Sequence, residues 1–173
     1  FSNFKNKIIY LVNDTEPKNL HYSQNNKEST EHMRPNAMKR IANQREFLLN
    51  GLQDANDNDL ILYSDNDEIP NLENLDISKI KSKILVFEQK LFHYKFNLLN
   101  ERILWHGTKG AKKKYIKSIS NLRNIKPKKY HFYRLDTYIS KYKFISLNII
   151  KNGGWHFTQL KSPIDLYEKF RND

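Results

Sequence analysis

The stretch Asp59-Leu60-Ile61-Leu62-Tyr63-Ser64-Asp65-Asn66-Asp67-Glu68-Ile69-Pro70 decides the reading of the fold. Leu60–Tyr63 is a short apolar run bounded by polar residues, the pattern of a buried strand. Three carboxylates, Asp65, Asp67 and Glu68, follow at once. Ligands of open α/β sheets gather beyond the carboxyl ends of the strands. Carboxylates this close repel one another, and a cation is the simplest way to keep them ionised. Oxygen donors suit a hard ion such as Mg²⁺ or Mn²⁺. The competing reading is an acidic surface turn in which Asp67 or Asn71 caps the next helix. The run Asp54–Asp59 is not a calcium loop, because Asp59 stands where that loop needs glycine and Asp65 where it needs glutamate.

Upstream, Ile8-Ile9-Tyr10-Leu11-Val12 reads as a second buried strand, Lys7–Val12. Residues 14–32 form a long polar loop with a Ser/Asn/Gln cluster. Pro35 suits the first turn of a helix running to about Asn50, with an apolar stripe through Met38, Ile41, Ala42, Phe47-Leu48-Leu49 and Leu52 and a stop at Gly51. Strand, helix, strand makes a βαβ unit, so Lys7–Val12 and Leu60–Tyr63 are expected as parallel neighbours. Downstream, a short helix is expected over Asn71–Lys81, strands over Ile84–Phe96 and Arg102–Trp105, and a basic loop over Gly107–Lys114. A helix over Tyr115–Asn121 and a terminal helix over Pro163–Phe170 complete the pattern. Nothing reads as a linker or a repeat, and residues 1–173 are taken as one α/β domain.

Composition narrows the function classes. No cysteine is present, which removes disulfide scaffolds, Cys-ligated zinc and thiol catalysis. No apolar run approaches the ~18 residues of a membrane span, and no signal peptide is visible, so a cytoplasmic protein is expected. Residues 1–80 hold 9 basic and 13 acidic side chains, whereas residues 81–173 hold 21 and 6. Such a basic half suits a polyanionic partner: nucleic acid, an anionic membrane or a phosphorylated ligand.

Gly153-Gly154-Trp155-His156-Phe157 is the second informative motif. Paired glycines allow a tight turn or a close backbone approach. Trp155 offers a flat face of the kind that stacks on sugars. His156 is suited to proton transfer or metal ligation. A hairpin turn with a packed Trp and Phe is the plainer reading.

Taken in order, Arg45, Gly51-Leu52, the strand before Ser64-Asp65-Asn66-Asp67-Glu68-Ile69-Pro70, Trp105-x-Gly107, Leu122-Arg123 and Gly154-Trp155-His156-Phe157-Thr158 form a pattern. In it the chain resembles glycosyltransferase family 17, the β-1,4-mannosyl-glycoprotein N-acetylglucosaminyltransferase-like enzymes. The resemblance implies a GT-A-like, Rossmann-like mixed sheet with flanking helices. It also implies a chain truncated at both ends, because members begin with a further strand and continue past this C-terminus. The implied activity is metal-dependent inverting transfer of a sugar, N-acetylglucosamine by resemblance, from a UDP-sugar to a mannosyl-containing glycan acceptor. Asp65 and Asp67 would hold Mn²⁺ or Mg²⁺. His156 and Glu68 are the candidates for the general base, His156 first. Gly154, Trp155, Arg45 and Arg123 would bind substrate. The basic second half, including Arg123, Lys126 and Lys112–Lys114, would assist the diphosphate leaving group. The rival classes are a nucleic-acid-binding module, with Tyr130, Phe132, Tyr133, Tyr138, Tyr142 and Phe144 as a stacking platform, and a metal-dependent phosphohydrolase or nucleotidyltransferase using the same carboxylates.

Overall fold

The computed structural model describes residues 2–22, 30–73 and 75–172. The Ser/Asn/Gln cluster at 23–26 lies outside them. Two compact units divide the chain: one takes the residues up to Ala55 together with Ser118–Ser120, the other Asn56–Lys117 and the residues from Asn121 onward. Both helices and strands are present, and the strands form one mixed sheet. Among the described residues, no helix is long and apolar enough to cross a membrane.

The first unit is built on helix α1 (Thr30–Phe47), which ends in a 3-10 turn over Leu48–Leu52. The helix starts a turn earlier than Pro35 suggests and keeps that proline inside it. Of its expected apolar stripe, Met38, Ile41 and Leu48 are exposed, whereas Phe47, Leu49 and Leu52 are half-buried. Polar side chains add further contacts. Buried Asn36 accepts from His21 N at 3.0 Å and donates to His21 O at 2.7 Å. Asn43 donates to Thr15 O, and Arg40 pairs with Glu16 at 3.2 Å. Glu46 accepts from Ser118 Oγ at 2.7 Å and Ser120 N at 2.9 Å. Burial raises its pKa, but these hydrogen bonds outweigh burial and hold it below the usual carboxylate range.

The expected strand Lys7–Val12 does not form. Ser2–Lys7 is a 3-10 turn, and Ile8–Val12 has no regular structure, with Ile9, Tyr10 and Val12 exposed. A strand needs a hydrogen-bonding neighbour, and Leu60–Tyr63 does not serve as one. Its only paired edge among the described residues faces another strand, antiparallel. The βαβ unit is therefore absent, and apolar composition without a partner edge is not enough to make a strand.

The second unit is a six-stranded sheet: β1 (Leu60–Tyr63), β2 (Glu68–Pro70), β3 (Ile84–His93), β4 (Leu99–Lys112), β5 (Leu147–Ile150) and β6 (Gly154–Thr158). Its order is β1-β4-β3-β6-β2, with β5 also on β3. Strand β3 is the spine. It pairs antiparallel with β4 along one edge, while β5 and then β6 run parallel along the other. The turn between β5 and β6 is pinned by Gly153 N donating to Glu88 O at 2.8 Å. Ile84–Phe87 is buried at every position, as expected of a strand covered on both faces. Leu91, Ala111, Leu122, Ile125 and Leu147 complete the core with Tyr63.

Three further expectations change here. Gly107–Lys112 is not a basic loop but the buried end of β4, with Thr108, Lys109 and Ala111 buried. Gly110 makes this possible, since a Cβ there would stand 2.5 Å from Leu62 Cδ2 on β1. Among the described residues of 71–81 the one helical element is a 3-10 turn over Ile77–Lys79, begun by Asp76 accepting from Ser78 N. Tyr115–Asn121 splits into a 3-10 turn, Lys113–Tyr115, and helix α2 (Ile119–Arg123). Helix α3 spans Asp136–Ile139, and the terminal helix α4 spans Pro163–Asn172, close to expectation.

The short pairing of β2 with β6 depends on Gly154. Its φ is +129°, and a Cβ would fall 2.0 Å from Ile69 O. Gly154→Ala should cost at least about 2 kcal/mol of stability in urea unfolding, from strain and displaced pairing together. An unchanged unfolding midpoint would contradict this register.

Candidate functional site

The acidic turn closes on itself. Glu68 N donates to Asp65 O at 3.0 Å, and the Glu68 carboxylate accepts in return from Asp65 N at 3.3 Å. Beyond the turn, β2 enters the sheet against β6, with Glu68 opposite His156, Ile69 opposite Trp155 and Pro70 opposite Gly154. Phe157 N donates to Asp67 O at 2.9 Å, which extends the pairing into the turn. This register brings together Asp67 and His156, 89 positions apart. His156 Nε2 lies 3.2 Å from Asp67 Oδ2.

The three carboxylates have different surroundings. Glu68 has a fully buried side chain. Its Oε1 accepts from Trp105 Nε1 at 2.8 Å and from Arg123 Nη2 at 3.1 Å. Asp65 Oδ2 accepts twice from Arg123, at 2.8 Å and 3.1 Å, and Oδ1 accepts from Tyr63 OH at 2.6 Å. Asp67 keeps 39% of its side chain exposed and faces His156. Arg123 thus serves two carboxylates, and its remaining arm reaches Gly107 O at 3.3 Å.

Rings and small residues shape the rest. The Trp105 ring lies 4.5 Å, centre to centre, from the buried His156 ring, and the Arg123 guanidinium lies 5.9 Å from the Trp105 ring. His156 Nδ1 is buried and has no hydrogen-bond partner among the described residues. Gly107 is required by crowding: a Cβ would meet the Glu68 carboxyl at 2.6 Å and Gln89 Oε1 at 2.1 Å. Behind it, Gln89 donates to Thr108 Oγ1 at 3.1 Å, and Thr108 shares a 2.6 Å hydrogen bond with Ser64 Oγ. Lys109 donates to Ile125 O at 2.7 Å and also to Arg123 O, tying down the residues that follow α2. Burial, then the nearby Arg123 charge, lowers its pKa from 10.5 to about 8 against the opposing pull of Glu68 and Asp65.

Most of the residues singled out in the sequence therefore meet in one cluster: Asp65, Asp67, Glu68, Arg123 and His156, with Gly154 setting the register. Trp155 alternates onto the other face of β6 and is exposed, so the aromatic wall against His156 is Trp105. Arg45 stands in the last turn of α1, in the other unit. The parts not anticipated are Tyr63, Gln89, Thr108 and Lys109; the spacing Trp105-x-Gly107 was their one visible signal. Away from the cluster, a cleft of about 920 Å³ opens between Tyr94–Asn97 and Leu160–Lys169.

Among the described residues, no three His, Cys, Asp or Glu side chains gather as a metal site. Asp65 and Glu68 are already compensated by Arg123 and its neighbours, which makes Asp65 a poor ligand. Asp67 and His156 stand at ion-pair distance, a spacing that two ligands of one ion would also allow. Adjacent ligands of an octahedral ion with bonds near 2.1 Å stand about 3.0 Å apart, close to the 3.2 Å found. One carboxylate and one imidazole leave the remaining positions for water and phosphate oxygens, as in Mg²⁺–phosphate chemistry. Compared with known proteins, the chain matches no family model, no curated protein and no solved structure.

Two outcomes are expected. Glu68→Gln should lose about 1.5–3 kcal/mol in urea unfolding, because an amide gives up the charged acceptor that Trp105 and Arg123 share; a loss below about 0.5 kcal/mol would contradict the cluster. Lys109 binds its proton less tightly folded than unfolded, so between about pH 8 and 10.5 its share of stability rises with pH. The stability of the wild type relative to Lys109→Met should therefore improve across that window, and a flat difference would contradict it.

Proposed function

We propose that this chain carries the donor-binding core of a metal-dependent inverting glycosyltransferase acting on a UDP-sugar, with N-acetylglucosamine and a mannosyl-containing acceptor suggested by the family resemblance. The observation that carries this reading is the meeting of Asp67 and His156 at 3.2 Å beside a charge-compensated acidic turn. It gains support from the way four separate motifs of the resemblance converge in one cluster.

In this reading Asp67 and His156 hold Mn²⁺ or Mg²⁺, which when bound neutralises charge on the departing diphosphate. Asp65 does not share that role, because Arg123 and Tyr63 occupy its oxygens. Glu68 is a positioning residue. With its carboxylate fully buried and three donors on it, it is the wrong group to take a proton from an acceptor hydroxyl. It holds the Trp105 indole, and Trp105 holds the plane of His156. Arg123 is likewise committed to Asp65 and Glu68, so binding of the diphosphate falls to other basic groups of the second half. His156 presents Nε2 towards Asp67 and keeps Nδ1 buried, which suits a ligand better than a base in contact with an acceptor.

Calorimetric titration of UDP with and without Mn²⁺ tests the reading. The wild type should bind UDP in an Mn²⁺-dependent way, Asp67→Asn should abolish that dependence, and Asp57→Asn, on the exposed turn before β1, should keep it. Absence of Mn²⁺-dependent UDP binding in the wild type, or equal loss in both variants, would overturn it. Sugar transfer to a glycan acceptor separates this reading from phosphohydrolysis, which would release product to water alone.

A further inference from the structure

The excursion from Lys126 to Lys143 lies apart from the cluster and is built inside out. Leu135 has helical backbone angles, φ −59° and ψ −31°, and precedes α3 directly. Leu135, Tyr138 and Ile139 thus stand at i, i+3 and i+4, on one helical face. That face is turned to solvent: Leu135 is 78% exposed and Ile139 90%. Polar Thr137 is the residue turned inward; it is buried, and its hydroxyl donates to Arg134 O at 2.6 Å. Phe132 and Tyr133, just before, are also exposed.

The charge around this face has one sign. The segment holds six basic residues, Lys126, Lys128, Lys129, Arg134, Lys141 and Lys143, and one acidic residue, Asp136. Asp136 is satisfied internally, by Arg134 at 2.8 and 2.9 Å and by Lys143 at 2.6 Å. The outward charge is therefore that of the lysines.

We infer that this face docks on an anionic lipid bilayer, with Leu135, Tyr138 and Ile139 entering the headgroup–acyl boundary and Lys126, Lys128, Lys129 and Lys141 meeting lipid phosphates. Exposed aliphatic and aromatic side chains on one face, with exposed lysines before and after them in the chain, suit interfacial binding. Nucleic acid would use the rings and the lysines but offers no place for Leu135 and Ile139, the two most exposed apolar side chains of the segment. A second copy of the chain would bring the same positive charge against itself. This inference does not rest on the glycosyltransferase reading.

Co-sedimentation of the full chain with phosphatidylcholine vesicles, with and without phosphatidylglycerol, tests it. The wild type should partition onto the anionic vesicles and weaken as salt rises. Leu135→Ser/Ile139→Ser should lower the partition coefficient at least tenfold, with an unchanged melting temperature because both side chains are exposed. Lys128→Gln/Lys129→Gln should lower it by about an order of magnitude or more at low salt. Failure to sediment with anionic vesicles, or sedimentation that neither double variant alters, would overturn the inference. So would tight binding of a random oligonucleotide, or a dimer abolished by Leu135→Ser/Ile139→Ser, in a protein that leaves vesicles alone.

Discussion

A fully buried carboxylate must be compensated, and the Glu68 side chain sets that requirement for everything around it. Its donors are an indole from β4, a guanidinium at the end of α2 and the backbone of its own turn. Each donor carries a second duty. Trp105 packs on His156, Arg123 gathers Asp65, and the Asp65 amide closes the acidic turn. Gly107 belongs to the same constraint, because any side chain there would occupy the space of the carboxyl. The least compensated carboxylate of the three, Asp67, is also the most exposed, and it stands beside an imidazole.

The site was more legible in the sequence than the fold that holds it. An acidic turn after an apolar strand can be recognised locally, and so can a glycine pair before Trp155 and His156. Their meeting is a matter of sheet register, which no local spacing encodes, and only the resemblance put His156 near Asp67 in advance. Lys7–Val12 illustrates the opposite case. Its side chains are those of a strand, yet among the described residues it pairs with no strand, and the segment beyond it is held along α1 by Asn36, Arg40 and Asn43. The buried end of β4 was misleading because lysines in sequence suggest solvent. Lys109 enters the interior by donating to two backbone carbonyls, and Gly107 and Gly110 leave room for the strands beside it. Trp105 packs on His156 where Trp155 was expected at the site, because strand alternation turns Trp155 away from His156.

Polarity is arranged in opposite ways in two parts of the second unit. Around Glu68, charged and polar side chains are buried and largely paired with one another, with Gln89 Oε1 and His156 Nδ1 left without partners among the described residues. Around α3, apolar side chains are exposed and the flanking sequence is rich in lysine.

The central claim is that Asp67 and His156 act together on one ion. Electron spin echo envelope modulation on the protein–Mn²⁺–UDP complex addresses it directly. A nitrogen modulation from a directly bound imidazole should appear in the wild type and vanish in His156→Gln. A complex without nitrogen modulation, or with one that survives His156→Gln, would contradict it.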